Sequence, residues 1–421
     1  MKKLLVALLV LGLAAPAMAA EVGLYGSFRT QVGYYDADED FGYGTTASAL
    51  NGPAMDPTIF PRLPAAGASG FDDQGTLLSL SHQSRFGAKA KVSDTLNAVL
   101  ELGLRETNRS STVATASAVN QSAQQEAVYL RLAYGTWNFG AGALTVGKDY
   151  TPGTFLLYNN MIGDIGDGGD AVFLITGLPY IGRQPQIKFT FGGLQFAFIE
   201  ANTGSFTGQT PIPTGSTATD VDFLLPRMEV AYQFNSPMFS LRPVAGYQTY
   251  DVVTRTATEE TDKSIDSYLL ALGAQLRLGA FYANATGSYM INAGNYGQSN
   301  LVLVSHTAAN ALITAGLIGD DIEDSTLTMA TLALGFKISP MLKVEVGASY
   351  NNVERDLSTT LSASQTGYMY YGQMPITLAP GVTVIPEIGM MDRGDLEIDG
   401  AGVSEDEGTM TYFAANFRID F

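Results

Sequence analysis

The sequence predicts an all-β fold: a transmembrane antiparallel β-barrel of about sixteen strands, with its third long connection folded into the interior. Three observations carry this. Segments of about ten residues alternate apolar and polar side chains along the chain. The connections between them alternate in length, short then long. After the leader no apolar run approaches the roughly 20 residues of a membrane-spanning helix, although 46% of the residues are hydrophobic and 10% aromatic.

The chain starts MKKLLVALLVLGLAAPAMAA. Lys2 and Lys3, an apolar core from Leu4 to Ala15 and the small-residue end Ala17-Met18-Ala19 make the pattern of a secretory signal peptide, cleaved after Ala19 or, as second choice, after Ala20. The apolar core is too short for a membrane anchor. Residues 1–19 are therefore read as leader and residues 20–421 as a single barrel without a linker. With no Cys, an exported chain has neither disulfides nor thiolate metal sites. The formal net charge of −18, from 41 acidic and 23 basic residues, repels phosphate backbones and excludes nucleic acid as a partner.

The first strand, Val22 to Tyr35, puts Val22, Leu24, Phe28, Thr30, Val32 and Tyr34 on one face and Tyr25, Ser27, Arg29 and Gln31 on the other. Leu77 to Val92 opposes Leu78, Leu80, Phe86, Ala88 and Ala90 to Ser81, Gln83, Arg85, Lys89 and Lys91. Thr95 to Arg105 follows after Ser93-Asp94, with Leu96, Ala98, Leu100 and Leu102 against Asn97, Glu101 and Arg105. Later strands keep the pattern. Pro243 sits inside one of them and belongs near a turn or bulge.

Trp137 to Gly140, Gly192-Gly193, Asn235 to Pro237, Leu278-Gly279, Ser339-Pro340 and Ala379 to Gly381 read as tight turns. Asp36 to Gln74, Thr107 to Gln124, Asn202 to Asp220, Ala293 to Ser325 and Asp392 to Gly408 read as long polar connections. Short periplasmic turns and long external loops are the expected asymmetry of an outer-membrane barrel. The chain ends on Phe421, the last of the alternating residues Thr411, Phe413, Ala415, Phe417 and Ile419. A closing strand places such an aromatic in the interfacial girdle.

Thr151 to Gly182 (TPGTFLLYNNMIGDIGDGGDAVFLITGLPYIG) is about twice the length at which an unstructured connection becomes suspicious. Seven Gly and two Pro keep it out of a sheet, while Phe155, Leu156, Leu157, Phe173, Leu174 and Ile175 require burial. Its acids Asp164, Asp167 and Asp170 lie among glycines, and the flanking strands offer Arg131 and Arg183 as counter-charges. It reads as an eyelet inside the barrel.

Enzyme chemistry finds no support. His82 and His306 are the two histidines, one on outward parity and one in a long loop, and neither accompanies a positioned nucleophile or a set of metal ligands. No cofactor and no metal is expected. The acidic runs Asp38 to Asp40, Asp320 to Asp324 and Glu405 to Glu407 do not have calcium-loop spacing and read as solvated external loops, with loose Ca²⁺ or Mg²⁺ bridging to lipopolysaccharide phosphates left as an alternative.

On its motifs the chain resembles the trimeric general-diffusion porins of Gram-negative outer membranes. Val22-Gly23-Leu24-Tyr25-Gly26 looks like their opening strand, and Ser84-Arg85-Phe86-Gly87-Ala88-Lys89 like the second. Leu144 to Pro152 looks like the strand entering their third loop, and Gly182-Arg183 and Phe421 fit as well. The resemblance implies an integral outer-membrane barrel, set in lipid and lipopolysaccharide, that assembles as a homotrimer and passes ions and small hydrophilic solutes passively. It implies a wall cluster of Arg85, Arg131 and Arg183 facing Asp164 and Asp167 on the loop. The loop departs from the family in reading Ile165-Gly166-Asp167-Gly168-Gly169-Asp170, which leaves open which aspartates face the lumen. Rival readings are a substrate-specific channel and a structural or adhesive surface barrel.

Overall fold

The computed structural model describes residues 21–38, 41, 73–81, 83–107, 125–155, 176–201, 218–255, 260–298, 312–318 and 321–421. The leader expected at 1–19 lies outside them. Sixteen strands close into one antiparallel barrel. They are β1 (Glu21–Ala37), β2 (Arg85–Lys91), β3 (Leu96–Thr107), β4 (Gln125–Asn138), β5 (Ala143–Tyr150), β6 (Arg183–Phe191), β7 (Leu194–Ile199) and β8 (Arg227–Tyr232), followed by β9 (Phe239–Arg255), β10 (Glu260–Leu278), β11 (Phe281–Ile291), β12 (Ser325–Ser339), β13 (Leu342–Ser358), β14 (Leu361–Gln373), β15 (Val382–Asp392) and β16 (Thr409–Asp420). Shorter segments, such as Asp73–Leu80 beside the upper half of β1, prolong individual staves. β16 returns to β1, from Ser27 opposite Asp420 to Ala37 opposite Met410. The seam ends in two backbone bonds, Gly26 N–H to Phe421 O at 2.9 Å and Phe421 N–H to Gly26 O at 3.1 Å. No strand edge is left open in hydrocarbon, where each unpaired backbone group costs several kcal/mol.

The tight turns read from the sequence all fall on one rim. Gly192 and Gly279, at φ 58° and 63°, take the left-handed conformation that glycine adopts without strain. On the opposite rim two connections are also tight: β9 and β10 stay paired up to Arg255 opposite Glu260, and β13 turns into β14 through Thr359-Thr360. The single strand expected over Leu77 to Val92 is interrupted at residues 81–84. There Ser81 N–H bonds to Arg29 O and the Ser84 hydroxyl accepts Arg29 N–H, so β1 stays fully bonded while its neighbour steps. Pro243 lies where the ladder between the β8 stave and β9 breaks, between Ala231 opposite Val244 and Phe234 opposite Leu241. Its missing N–H accounts for the gap.

Period-two alternation sets the faces. Outward residues are apolar and exposed, with Ile388 at 63%, Val346 at 58% and Leu272 at 51%. Trp137, Phe139, Phe191, Phe234 and Phe239 border the belt near the short-turn rim, and Tyr247, Tyr268, Tyr350 and Tyr368 border it above. Tyr268 lies ten residues from Leu278; at about 3.3 Å per residue and about 40° of tilt this rises about 25 Å, the height of the apolar band of a membrane barrel. The chain is an integral membrane barrel.

Inside, tyrosines lie flat on glycines of the next strand. A Cβ at Gly87, Gly335, Gly347 or Gly389 would strike the ring of Tyr25, Tyr282, Tyr371 or Tyr412 respectively. Each hydroxyl is held by a glutamate: Tyr25 by Glu101 (3.1 Å), Tyr282 and Tyr371 by Glu345 (2.7 Å each) and Tyr412 by Glu387 (2.7 Å). Large rings thus line the wall without projecting across it.

Leu272→Arg is expected to cost about 2–4 kcal/mol in urea unfolding from lipid vesicles, because it puts a charge into the apolar belt. The inward change Lys343→Gln, at an exposed position, is expected to stay within about 0.5 kcal/mol. Equal losses at both positions would contradict the assignment of faces.

Candidate functional site

The interior divides into two unlike halves. On the β1–β6 side the strands present charge. Glu101, buried on β3, is the centre of a network in which Arg131 Nε donates to its Oε1 at 2.8 Å, Tyr25 donates to its Oε2 at 3.1 Å, and Arg85 Nε lies 3.8 Å from the same oxygen. Arg131 reaches this position through a β-bulge: Glu101 pairs with Leu132 and Leu102 with Leu130, so Arg131 is the extra residue. The bulge also turns Leu132, which would otherwise continue the outward row of Val128 and Leu130, into the interior, where it is buried. Arg131 further donates to the hydroxyls of Tyr129 (3.3 Å) and Tyr150 (3.2 Å), and Arg183 donates to Tyr150 at 3.4 Å. Lys188 pairs with Asp149 at 2.5 Å. The three arginines of the expected wall cluster are therefore brought together, through Glu101 and Tyr150.

The β8–β15 side also carries buried polar groups, among them Glu229, Glu345, Asn351 and Glu387, and it holds the main apolar cluster. Inward residues Leu269, Met290, Leu327, Met329 and Val353 form one buried cluster with Phe155, Leu178, Tyr180 and Ile181 of the third long connection and with Ala293, Tyr296, Leu312 and Ile313 of the connection between β11 and β12. The polar inward face expected from alternation holds for β1–β5 and, on this side, for residues such as Glu229, Glu345, Ser349 and Asn351; it is interrupted at Leu269, Met290, Leu327, Met329 and Val353, which are buried against the inward connections. A second cluster joins Phe41, Met369, Met391 and Met410 near the external rim, with the Arg393 guanidinium stacked 4.1 Å from the Phe41 ring. Burial lowers Arg393 to about 10, against the pull of Glu407 and Asp38.

The ends of the third connection, 151–155 and 176–182, lie inside the barrel and reach its far wall. Gly153 N–H donates to Glu229 Oε2 of β8 at 2.6 Å, and Arg242 of β9 donates to Pro152 O at 2.9 Å. Ser349 of β13 donates to Thr176 O at 3.0 Å. Gly177 takes φ 73° against Ala330 O, a site that admits no Cβ. The second inward connection is locked to the first: Tyr180 N–H donates to Gln298 Oε1 at 2.8 Å. Its short helix α1 (Ala293–Tyr296) is held by the fully buried Arg227, which donates to Tyr296 O at 2.7 Å, while the Tyr296 hydroxyl donates to Glu229 at 3.1 Å. Burial next to Glu229 holds the Tyr296 phenol well above its ordinary pKa, so it remains a donor. Glu229 therefore pins both inward connections.

Asp164 and Asp167, together with Asp170, fall in 156–175, outside the described residues, as do His82 and His306 and the side chain of Arg105. Among the described residues no group of three or more His, Cys, Asp or Glu is placed to hold a metal. The sequence placed Glu101 on the polar face of its strand. It missed the tyrosines Tyr129 and Tyr150 as bridges between arginines, although Tyr25 stood on polar parity beside Arg29. The second inward connection, read as an external polar loop, carried its signal in the run Leu312-Ile313-Thr314-Ala315, which is buried throughout.

No known family model matches the chain, and no curated protein sequence matches it significantly. Among solved structures, the outer membrane channel DcaP of Acinetobacter baumannii aligns over 95% of this chain and 97% of its own, with a TM-score of 0.59 at 15% identity. The trimer form of OmpT from Vibrio cholerae aligns over 96% and 100%, with a TM-score of 0.49 at 13% identity. An anion-selective porin from Comamonas acidovorans aligns over 96% and 100%, with a TM-score of 0.48 at 12% identity. On the first of these alignments the chain has the fold of an outer-membrane channel.

Glu101→Gln is expected to destabilise the barrel by about 3 kcal/mol or more in urea, because it leaves Arg131 buried without its counter-charge. Combining it with Arg131→Met is expected to restore part of that loss, and a double variant worse than the sum of the singles would count against the pairing.

Proposed function

We propose that the protein is an outer-membrane porin that lets ions and small hydrophilic solutes diffuse passively through a water-filled path along the β1–β6 wall. The observation that carries this reading is the split interior. The described ends of two inward connections pack on the apolar cluster of the β8–β15 side, whereas Arg85 keeps 29% of its side chain exposed and Lys89 is exposed on the β1–β6 side. A barrel with an apolar outside and a charged inside surface is built to pass polar solutes across hydrocarbon.

In this reading residues 1–19 are a leader removed on export, and 151–182 narrow the path. Arg85, Arg131 and Arg183 form its basic wall, and Asp164 and Asp167 face them from the loop. Assembly as a homotrimer, in lipid and lipopolysaccharide, belongs to the same proposal. The exposed carboxylates concentrate at the long-loop rim, among them Glu354, Asp395, Glu397 and Asp406, so the external mouth attracts cations at low salt. Substrate specificity, the second reading, is favoured by the niche described below.

Recordings in planar bilayers test the proposal. Stable open conductance in KCl is expected, with a modest cation preference that fades between 0.1 and 1 M salt as the Debye length falls from about 10 to about 3 Å. Asp164→Asn with Asp167→Asn is expected to shift reversal potentials toward anions. Because the chain has no Cys, a Lys89→Cys variant should react with a charged methanethiosulfonate and alter conductance, whereas Met290→Cys should stay unreactive. A barrel that never conducts would leave the structural or adhesive reading standing.

A further inference from the structure

Beside the Glu101 network the charged wall is hollowed into a niche of ≈ 400 Å³, lined by Tyr25, Arg85, Lys89, Val99, Leu132 and Tyr134 together with the acids Glu101 and Asp420. Its floor follows from local pairing. Gly87 stands opposite Tyr25 on one side and Glu101 on the other, and Lys89 opposite Val99, which itself faces Tyr134. The missing side chain at Gly87 lets the Tyr25 ring lie down, and the bulge at Arg131 brings Leu132 in beside Val99. An apolar floor inside a polar conduit has no structural necessity here, because among the described residues no connection covers it.

The charges around this floor are unevenly committed. Glu101 is taken up by Arg131, Tyr25 and Arg85, and Asp420 by Arg418 at 2.6 Å. Among the described residues Arg85 makes its one charged contact at 3.8 Å, and Lys89 lies 4.8 Å over the Tyr25 ring. Both cations keep donors for a further acceptor, while both acids are occupied. With Arg29 buried nearby, the local balance is positive.

We propose that this niche is a binding subsite for a small organic carboxylate with a compact apolar body, the carboxylate at Arg85 and Lys89 and the body over Val99 and Leu132 between the two tyrosine rings. The proposal rests on the channel reading of this interior and narrows it to a solute class. Hydrogen bonds to charged donors supply orientation, and the floor supplies discrimination against acids with no apolar body, since each buried methylene adds its own increment of affinity. Volume agrees: the niche lies within the ordinary range of about 300–1,000 Å³ for small-molecule sites.

Equilibrium dialysis of radiolabelled benzoate against the detergent-folded protein at pH 8 tests this independently of conduction. Saturable binding is expected, competed by unlabelled benzoate and much less by acetate or by cyclohexylamine. Lys89→Gln, at an exposed position, should weaken benzoate by about tenfold, and Leu132→Asn should weaken benzoate while leaving acetate competition unchanged. The same benzoate, added to one side of a planar bilayer, should reduce chloride current with matching concentration dependence. Retention that does not saturate, or that both variants leave intact, overturns the subsite. Binding without any conductance in KCl would instead overturn the channel reading and leave the subsite in place.

Discussion

Everything in this molecule depends on pairing the backbone where no water is available to pair it. A strand crossing hydrocarbon must give each N–H and C=O to a neighbour, and a sheet with free edges cannot. The seam between β1 and β16, closed down to the reciprocal bonds of Gly26 and Phe421, is what makes the other strands admissible in a membrane. Local departures respect the same constraint. At the step in the second stave, Arg29 N–H is received by a serine hydroxyl, and the ladder gap lies beside Pro243, which has no N–H to lose.

Once the wall is closed, the enclosed volume poses a second problem, and the two halves answer it differently. On the β8–β15 side part of the interior is packed like the core of a soluble protein: Leu269, Met290, Leu327 and Val353 are sealed by Phe155, Leu178, Tyr296 and Ile313. Chain that could have stood outside as loop is used instead as packing, and it is pinned by a few polar bonds that converge on Glu229. The β1–β6 half keeps its charges. There, carboxylates serve mainly as receivers for arginine and tyrosine, so buried charge stays paired and the excess is cationic.

Tyrosine and glycine link these levels. A ring laid on a neighbouring glycine covers backbone, fills the wall to an even depth and places its hydroxyl where a glutamate can hold it. The same device recurs at β1–β2, β11–β12, β13–β14 and β15–β16, so it belongs to the construction of the wall. At β1–β2 it coincides with the bulge that inverts Leu132, and the wall there becomes concave.

The sequence by itself determined the barrel, its strand count, the faces of β1 and β3 and the shared rim of the turns it marked, because alternation and turn chemistry are local and a one-residue slip would turn every side chain to the wrong medium. It also placed Arg85 and Arg131 inward. Tertiary structure alone decided that the second stave breaks at 81–84, that a bulge carries Arg131 to Glu101 and flips Leu132, and that the connection after β11 turns inward. It likewise decided that part of the interior on the β8–β15 side is a packed core. Each of these depends on what a residue meets across the barrel, often more than a hundred positions away, as with Ser349 and Thr176 or Tyr180 and Gln298. A pattern that reports only the two faces of one strand carries no information about such partners.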